Sequence, residues 1–145
     1  MILIAHRGNM NGPNEYENGQ KYCEEAIAQG FNIELDVWYT DTWWTGHDRP
    51  QYRVDPDFLL KKEVWCHAKN IEALKKLLEL GAHCFFHQND PVTLTSKQYI
   101  WTYPTQQLTE KSICVLPELQ AIEVSAFLPS AGVCSDFIER YGGLK

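Results

Sequence analysis

The stretch NIELDVW (residues 32–38) decides how this chain is read. Ile33, Leu35 and Val37 alternate with Glu34 and Asp36, so a strand here buries one face and turns two carboxylates to the other. Upstream, ILIAH (2–6) is a shorter apolar run that delivers His6 and Arg7 at its carboxyl end. Downstream, VWCHA (64–68), HCFFH (83–87), YIWTY (99–103), SICVL (112–116) and GVCSDFI (132–138) read as further strands, with VTLT (92–95) a weaker eighth. Helical patterns fill some of the gaps, at 17–29, 71–80 and 117–127, with at most two turns at 57–63. Strands alternating with helices are the signature of a parallel α/β sheet or barrel. The segments QNDPVTLTSKQ (88–98) and PTQQLTEK (104–111) are too short for a crossover helix, yet long enough to return the chain in extended form.

The 145 residues suffice for one domain with a real core, over residues 1–145. Thirteen basic against nineteen acidic residues give a net charge of −6, which argues against sequence-independent nucleic-acid binding. An anionic substrate is still accessible to such a chain if a metal ion inverts the local field. Five cysteines without a CxxC, four of them inside apolar runs, read as buried free thiols of a reducing compartment, hence a cytoplasmic protein. No apolar run approaches the roughly 18 residues of a membrane span, so no integral membrane segment is expected. The first residues lack the basic region and cleavage site of a signal peptide.

In a parallel α/β sheet, ligands gather at the carboxyl ends of the strands. Those ends carry His6–Arg7, Glu34 and Asp36, His67 and Lys69, His87, Trp101 and Tyr103, Glu118, and Ser135–Asp136. Each has a plainer reading. An ExD pair can be a solvated face, and His67 or His87 a hydrogen-bonded core histidine. Trp101 and Tyr103 either fill the interior or form a substrate platform, and Glu118 can simply favour a helix N-terminus. Beyond the ExD strand, YTDTWWTGHD (39–48) reads as a short hairpin ending in His47–Asp48. A carboxylate pair, two histidines and an arginine within 48 residues fit metal-assisted phosphoryl chemistry.

AHRGN (5–9), YEN (16–18), IELDVWYTD (33–41) and GHD (46–48) together resemble the N-terminal half of the glycerophosphodiester phosphodiesterase family. IWTYP (100–104) and GVCSDFI (132–138) resemble its late strands more loosely. The resemblance implies a minimal (β/α) TIM-type barrel with several helices missing, built of seven to eight mostly parallel strands. It implies His6 and His47 as the acid–base pair, and Arg7, Lys69, Trp101 and Tyr103 around the substrate. It further implies a divalent metal on Glu34 and Asp36, with Glu17 a site carboxylate either on the metal or orienting His6, and makes His67 the candidate for the remaining ligand position. The family pattern E-x-K is HAK (67–69) in this chain, so His67 stands where a carboxylate is usual. Mg²⁺ and Ca²⁺ prefer oxygen, so either water fills that position or a metal more tolerant of imidazole, such as Mn²⁺, is used. The chain is also about 100 residues shorter than an ordinary barrel of this class. The activity implied is hydrolysis of a small phosphodiester. The alternatives are a lyase that stops at a cyclic phosphate, and a non-catalytic phosphate-binding relic.

Overall fold

The computed structural model describes residues 1–123, 126 and 129–144. Its strands, in chain order, are β1 (Ile2–His6), β2 (Asn32–Tyr39), β3 (Trp43–Thr45), β4 (Tyr52–Arg53), β5 (Val64–Ala68), β6 (Cys84–Phe85), β7 (Val92–Leu94), β8 (Ile100–Thr102), β9 (Ser112–Val115) and β10 (Gly132–Ser135). They form one mixed sheet in the order β4-β3-β2-β1-β10-β9-β8-β7, with β5 and then β6 added beside β2. The sheet curls into a half-barrel with few helices, which corrects the expected TIM-type barrel of parallel strands alternating with helices.

Connection length explains the difference. A parallel pair ordinarily takes a crossover of a dozen or more residues, the shortest here being the helix-free segment 103–111 between β8 and β9, whereas a hairpin needs only a few. Residues 40–42 and 95–99 are too few for any crossover, so β3 lies antiparallel on β2 and β7 antiparallel on β8. The weak strand at 92–95 is therefore real, but it is one arm of a hairpin and not a return leg. Its turn is closed by Thr95 N donating to Tyr99 O at 2.9 Å, with Gln98 left-handed at φ 66°. Longer connections leave β6, β5, β2, β1, β10, β9 and β8 parallel. Among the described residues β6 and β7 share no ladder. Thr93 Oγ1 donates to Phe86 O (3.0 Å) and Ser96 N to Cys84 O (2.8 Å) instead.

Helices α1 (Gln20–Ala28), α2 (Pro56–Leu59) and α3 (Ile71–Leu80) lie on the convex face. α3 follows the expected signals closely. Asn70 accepts from Ala73 N at its start, and Gly81 ends it at φ 75°. α1 begins three residues later than expected, because residues 15–18 form a turn that serves the site described below. The helix expected over 117–127 is a 3₁₀ turn at Pro117–Gln120, and positions 124, 125 and 127 of that expectation lie outside the described residues.

Strand alternation divides the core in two. Ile33, Leu35, Val37, Cys66 and Leu77 pack between sheet and helices. The concave side holds Ile4, Trp65, Phe85, Trp101, Ile113, Val115 and Cys134. There the rings touch in series, Trp65 on Trp101 at 6.1 Å between centroids, Trp101 on Phe85 at 4.6 Å and Phe85 on His67 at 5.0 Å. All five cysteines are free and buried.

His83 abuts this interior at the amino end of the strands, 3.9 Å from Trp65 and with Nε2 2.8 Å from Thr95 Oγ1. Burial, with Lys97 adding repulsion, pushes its pKa from 6.5 down to about 4. As pH falls through that window, the unfolded chain takes up a proton that the folded one refuses, so stability is expected to drop. Urea unfolding between pH 7 and pH 4 should show a shallower loss for His83→Gln than for the wild type. Equal slopes would contradict the assignment.

Candidate active site

Parallel register assembles the site. His6 pairs with Glu34 across β1 and β2, Asp36 pairs with His67 across β2 and β5, and Ala5 pairs with Ser135 beside Asp136. Asp136, His6, Glu34, Asp36 and His67 therefore stand in one row at the carboxyl end of the sheet.

His6 Nδ1 lies 2.7 Å from Asp136 Oδ1, and its Nε2 is 3.7 Å from Glu34 Oε2. Burial opposes a charge on this ring, but the Asp136 hydrogen bond and Glu34 outweigh it and the pKa is raised. Asp136 is itself fixed, since its Oδ1 also accepts from Asn9 Nδ2 at 2.8 Å. Its backbone N–H donates to Glu118 Oε1 at 2.8 Å, and Ser135 Oγ donates to the same oxygen.

Asp36 is the most heavily compensated group. It is 1% exposed, and four side chains address it. Asn18 Nδ2 donates to Oδ2 at 3.0 Å, and Arg7 Nε sits 3.2 Å from the same oxygen. His67 Nδ1 and Lys69 Nζ approach Oδ1 at 3.2 and 3.5 Å. The Arg7 contact is charge attraction without an aligned hydrogen bond, because Nε finds no partner of proper geometry. Burial would raise the Asp36 pKa, yet His67, Lys69 and Arg7 hold it well below the usual carboxylate range. The converse holds at His67, where burial is outweighed by Asp36 and Glu34 and the pKa rises to about 9.

Glu34, Asp36 and His67 offer ligand atoms within 4.8 Å of one another and together could hold a metal ion. The donor set of two carboxylates and one imidazole suits a divalent cation. Glu17 is not in that group. It accepts from Arg7 Nη1 at 3.3 Å and from Asn9 Nδ2 at 2.6 Å, so Arg7 bridges Glu17 and Asp36.

His47 arrives on the β3–β4 hairpin. Gly46 N donates to Asp36 O, Trp38 Nε1 donates to Gly46 O, and Thr45 Oγ1 donates to Asn18 O. The hairpin is thereby tied to both β2 and the turn at 15–18. Gly46 has φ 149°, and a Cβ there would lie 2.2 Å from Arg49 O, so only glycine fits. The imidazole of His47 is half-exposed, with Nδ1 2.7 Å from Asp48 Oδ1.

A cavity of about 360 Å³ opens over the row, and His6, Arg7, Asp36, His47, His67, Lys69 and Tyr103 all line it. Burial pushes the Tyr103 hydroxyl up to about 12, so it serves as a hydrogen-bond donor at neutral pH. Trp101 does not line this cavity. It is 3% exposed and packed against Phe85 and Trp65. Sequence reasoning assigned no role to Asn9, Asn18 or Asp136. Their position within the AHRGN, YEN and GVCSDFI motifs was the available signal. No protein-family model, curated protein or solved structure matches this chain.

Asp36→Asn leaves Arg7 and Lys69 facing a neutral amide, and a loss of about 3 kcal/mol in urea unfolding at pH 7 is expected. Undiminished stability would mean that these contacts carry no net charge compensation. Gly46→Ala should cost about 1–3 kcal/mol through backbone strain and shift the amide resonances of the 45–48 segment.

Proposed function

We propose that the chain is a compact relative of the glycerophosphodiester phosphodiesterases and hydrolyses a small phosphodiester with a divalent metal. One observation carries the reading. His6, Arg7, His47 and Lys69 line a single cavity together with Asp36 and His67 of the metal-capable group. Two imidazoles and two permanent cations around one hollow are what in-line displacement at phosphorus requires.

In this reading Asp136 holds the proton on His6 Nδ1 and leaves Nε2 to take the proton of the attacking substrate hydroxyl; water then opens the cyclic phosphate so formed to the monoester. His47, oriented through Nδ1 by Asp48, gives a proton to the leaving alcohol from its other nitrogen. Arg7 and Lys69 bind the phosphate oxygens, and Tyr103 donates a hydrogen bond to the substrate. A divalent ion on Glu34, Asp36 and His67 would withdraw charge from the phosphate, and the imidazole ligand favours Mn²⁺ over Mg²⁺ or Ca²⁺. Five buried thiols suit the reducing cytoplasm. No described helix is long and apolar enough to cross a membrane.

A second reading, a phosphate-binding relic, draws on the same geometry. Arg7, His67 and Lys69 already neutralise Asp36 with no ion. The readings part on turnover. A panel of glycerophosphodiesters with Mn²⁺, followed by phosphorus NMR, should yield an open monoester; a cyclic product would indicate a lyase. His47→Ala, at a half-exposed side chain, should keep the fold and lose at least about a hundredfold in kcat. Wild-type turnover in that variant would refute the acid–base pair, and a wild-type protein that binds phosphate but neither binds Mn²⁺ nor turns over any of the diesters would favour the relic.

A further inference from the structure

The opposite end of the half-barrel carries a second hollow with different chemistry. At the amino ends of the strands a cavity of about 450 Å³ is lined by Lys61, Lys62, Lys97, Trp65, His83 and Tyr99. That volume is within the range of small-molecule sites. No carboxylate lines it. Three lysines thus converge on one hollow of a chain whose net charge is −6. They arrive from separate places, Lys61 and Lys62 from the segment between α2 and β5, and Lys97 from the β7–β8 turn.

Lys62 has a partner in Glu63, at 3.8 Å, and Lys61 lies over the Phe58 ring at 5.7 Å. Neither Lys61 nor Lys97 is ion-paired among the described residues. The wall beneath them is aromatic, with Trp65 against His83 at 3.9 Å and against Tyr99 at 5.1 Å. Burial and Lys97 keep that imidazole neutral, so the positive field at the mouth comes from the lysines.

We propose that this hollow binds a phosphorylated flat ring of the nucleoside diphosphate type. The phosphates meet Lys61, Lys62 and Lys97, and the base lies against the half-buried rings of His83 and Tyr99, which pack on the buried Trp65 beneath them. Lysine supplies point charges for phosphate, and the rings offer π-faces that any base can use. The site is separate from the His6–His47 cavity and does not depend on the proposed hydrolysis.

The test is an NMR titration of ¹⁵N-labelled protein with adenosine diphosphate, with adenosine and inorganic pyrophosphate as separate arms. Saturable shifts are expected at the Trp65 indole N–H and at the Lys97 and Tyr99 amides. Pyrophosphate should bind more weakly and leave the Trp65 indole unshifted, and adenosine should bind more weakly still. Lys97→Glu, at an exposed turn, should weaken adenosine diphosphate about fivefold. It should leave phosphodiester turnover unchanged, which separates failure here from failure of the catalytic reading. The proposal is overturned if no saturable shift reaches Trp65, or if Lys97→Glu binds as tightly as the wild type. It is equally overturned if pyrophosphate matches adenosine diphosphate, since the ring would then contribute nothing.

Discussion

A carboxylate buried as deeply as Asp36 has to be neutralised where it stands, and much of the carboxyl end of the sheet is arranged around that requirement. Its partners come from separate segments: Arg7 after β1, Asn18 from the turn before α1, and His67 and Lys69 from the end of β5. The backbone of the same residue is used as fully. Asp36 N donates to Asn18 Oδ1, and Asp36 O accepts from Gly46 N. One strand position therefore ties the first loop, the helix entry, the neighbouring strand and the His47 hairpin together. Arg7 shows the cost of the arrangement, because it holds φ 53°, a conformation that non-glycine residues seldom adopt.

What the residues disclosed in advance follows from what local patterns encode. Alternation over 32–38 reveals which side chains share a face, so Glu34 and Asp36 were legible as an inward pair against Ile33, Leu35 and Val37. Asn70 and Gly81 bracket α3 because caps are local chemistry. Strand direction is another matter. VTLT reads alike in either direction, and only the five residues to the next strand decide that it runs antiparallel. The barrel expectation failed on that point, since a pattern of strands does not contain their orientation.

The site divides along the same line. Residues presented by a single strand end, such as His6 or His67 with Lys69, were visible as strand-end polars. Pairings between distant segments were not. His6 and Asp136 are separated by 130 positions and meet only because β1 and β10 are neighbours in the sheet. Asn9 and Asn18 escaped for a related reason, as asparagines after a glycine-rich turn ordinarily serve the turn itself. Here Asn18 is 1% exposed and spends its side chain on both the backbone and the carboxylate of Asp36.

The replacement of a carboxylate by His67 changes the charge balance more than the ligand count. A carboxylate at that position, beside Glu34 and Asp36, would set three acids of the metal-capable group against Arg7 and Lys69. With His67 raised to about 9, the row carries its own third positive charge at neutral pH. That proton makes the ion-free protein easier to fold and harder to load with metal, since an imidazole must be neutral to ligate. Arg7 and Lys69 face the same conflict, because the contacts that neutralise Asp36 involve the very groups that the proposed reaction assigns to phosphate. Stability without an ion and readiness to bind one draw on the same side chains, so a gain in either is obtained at the expense of the other.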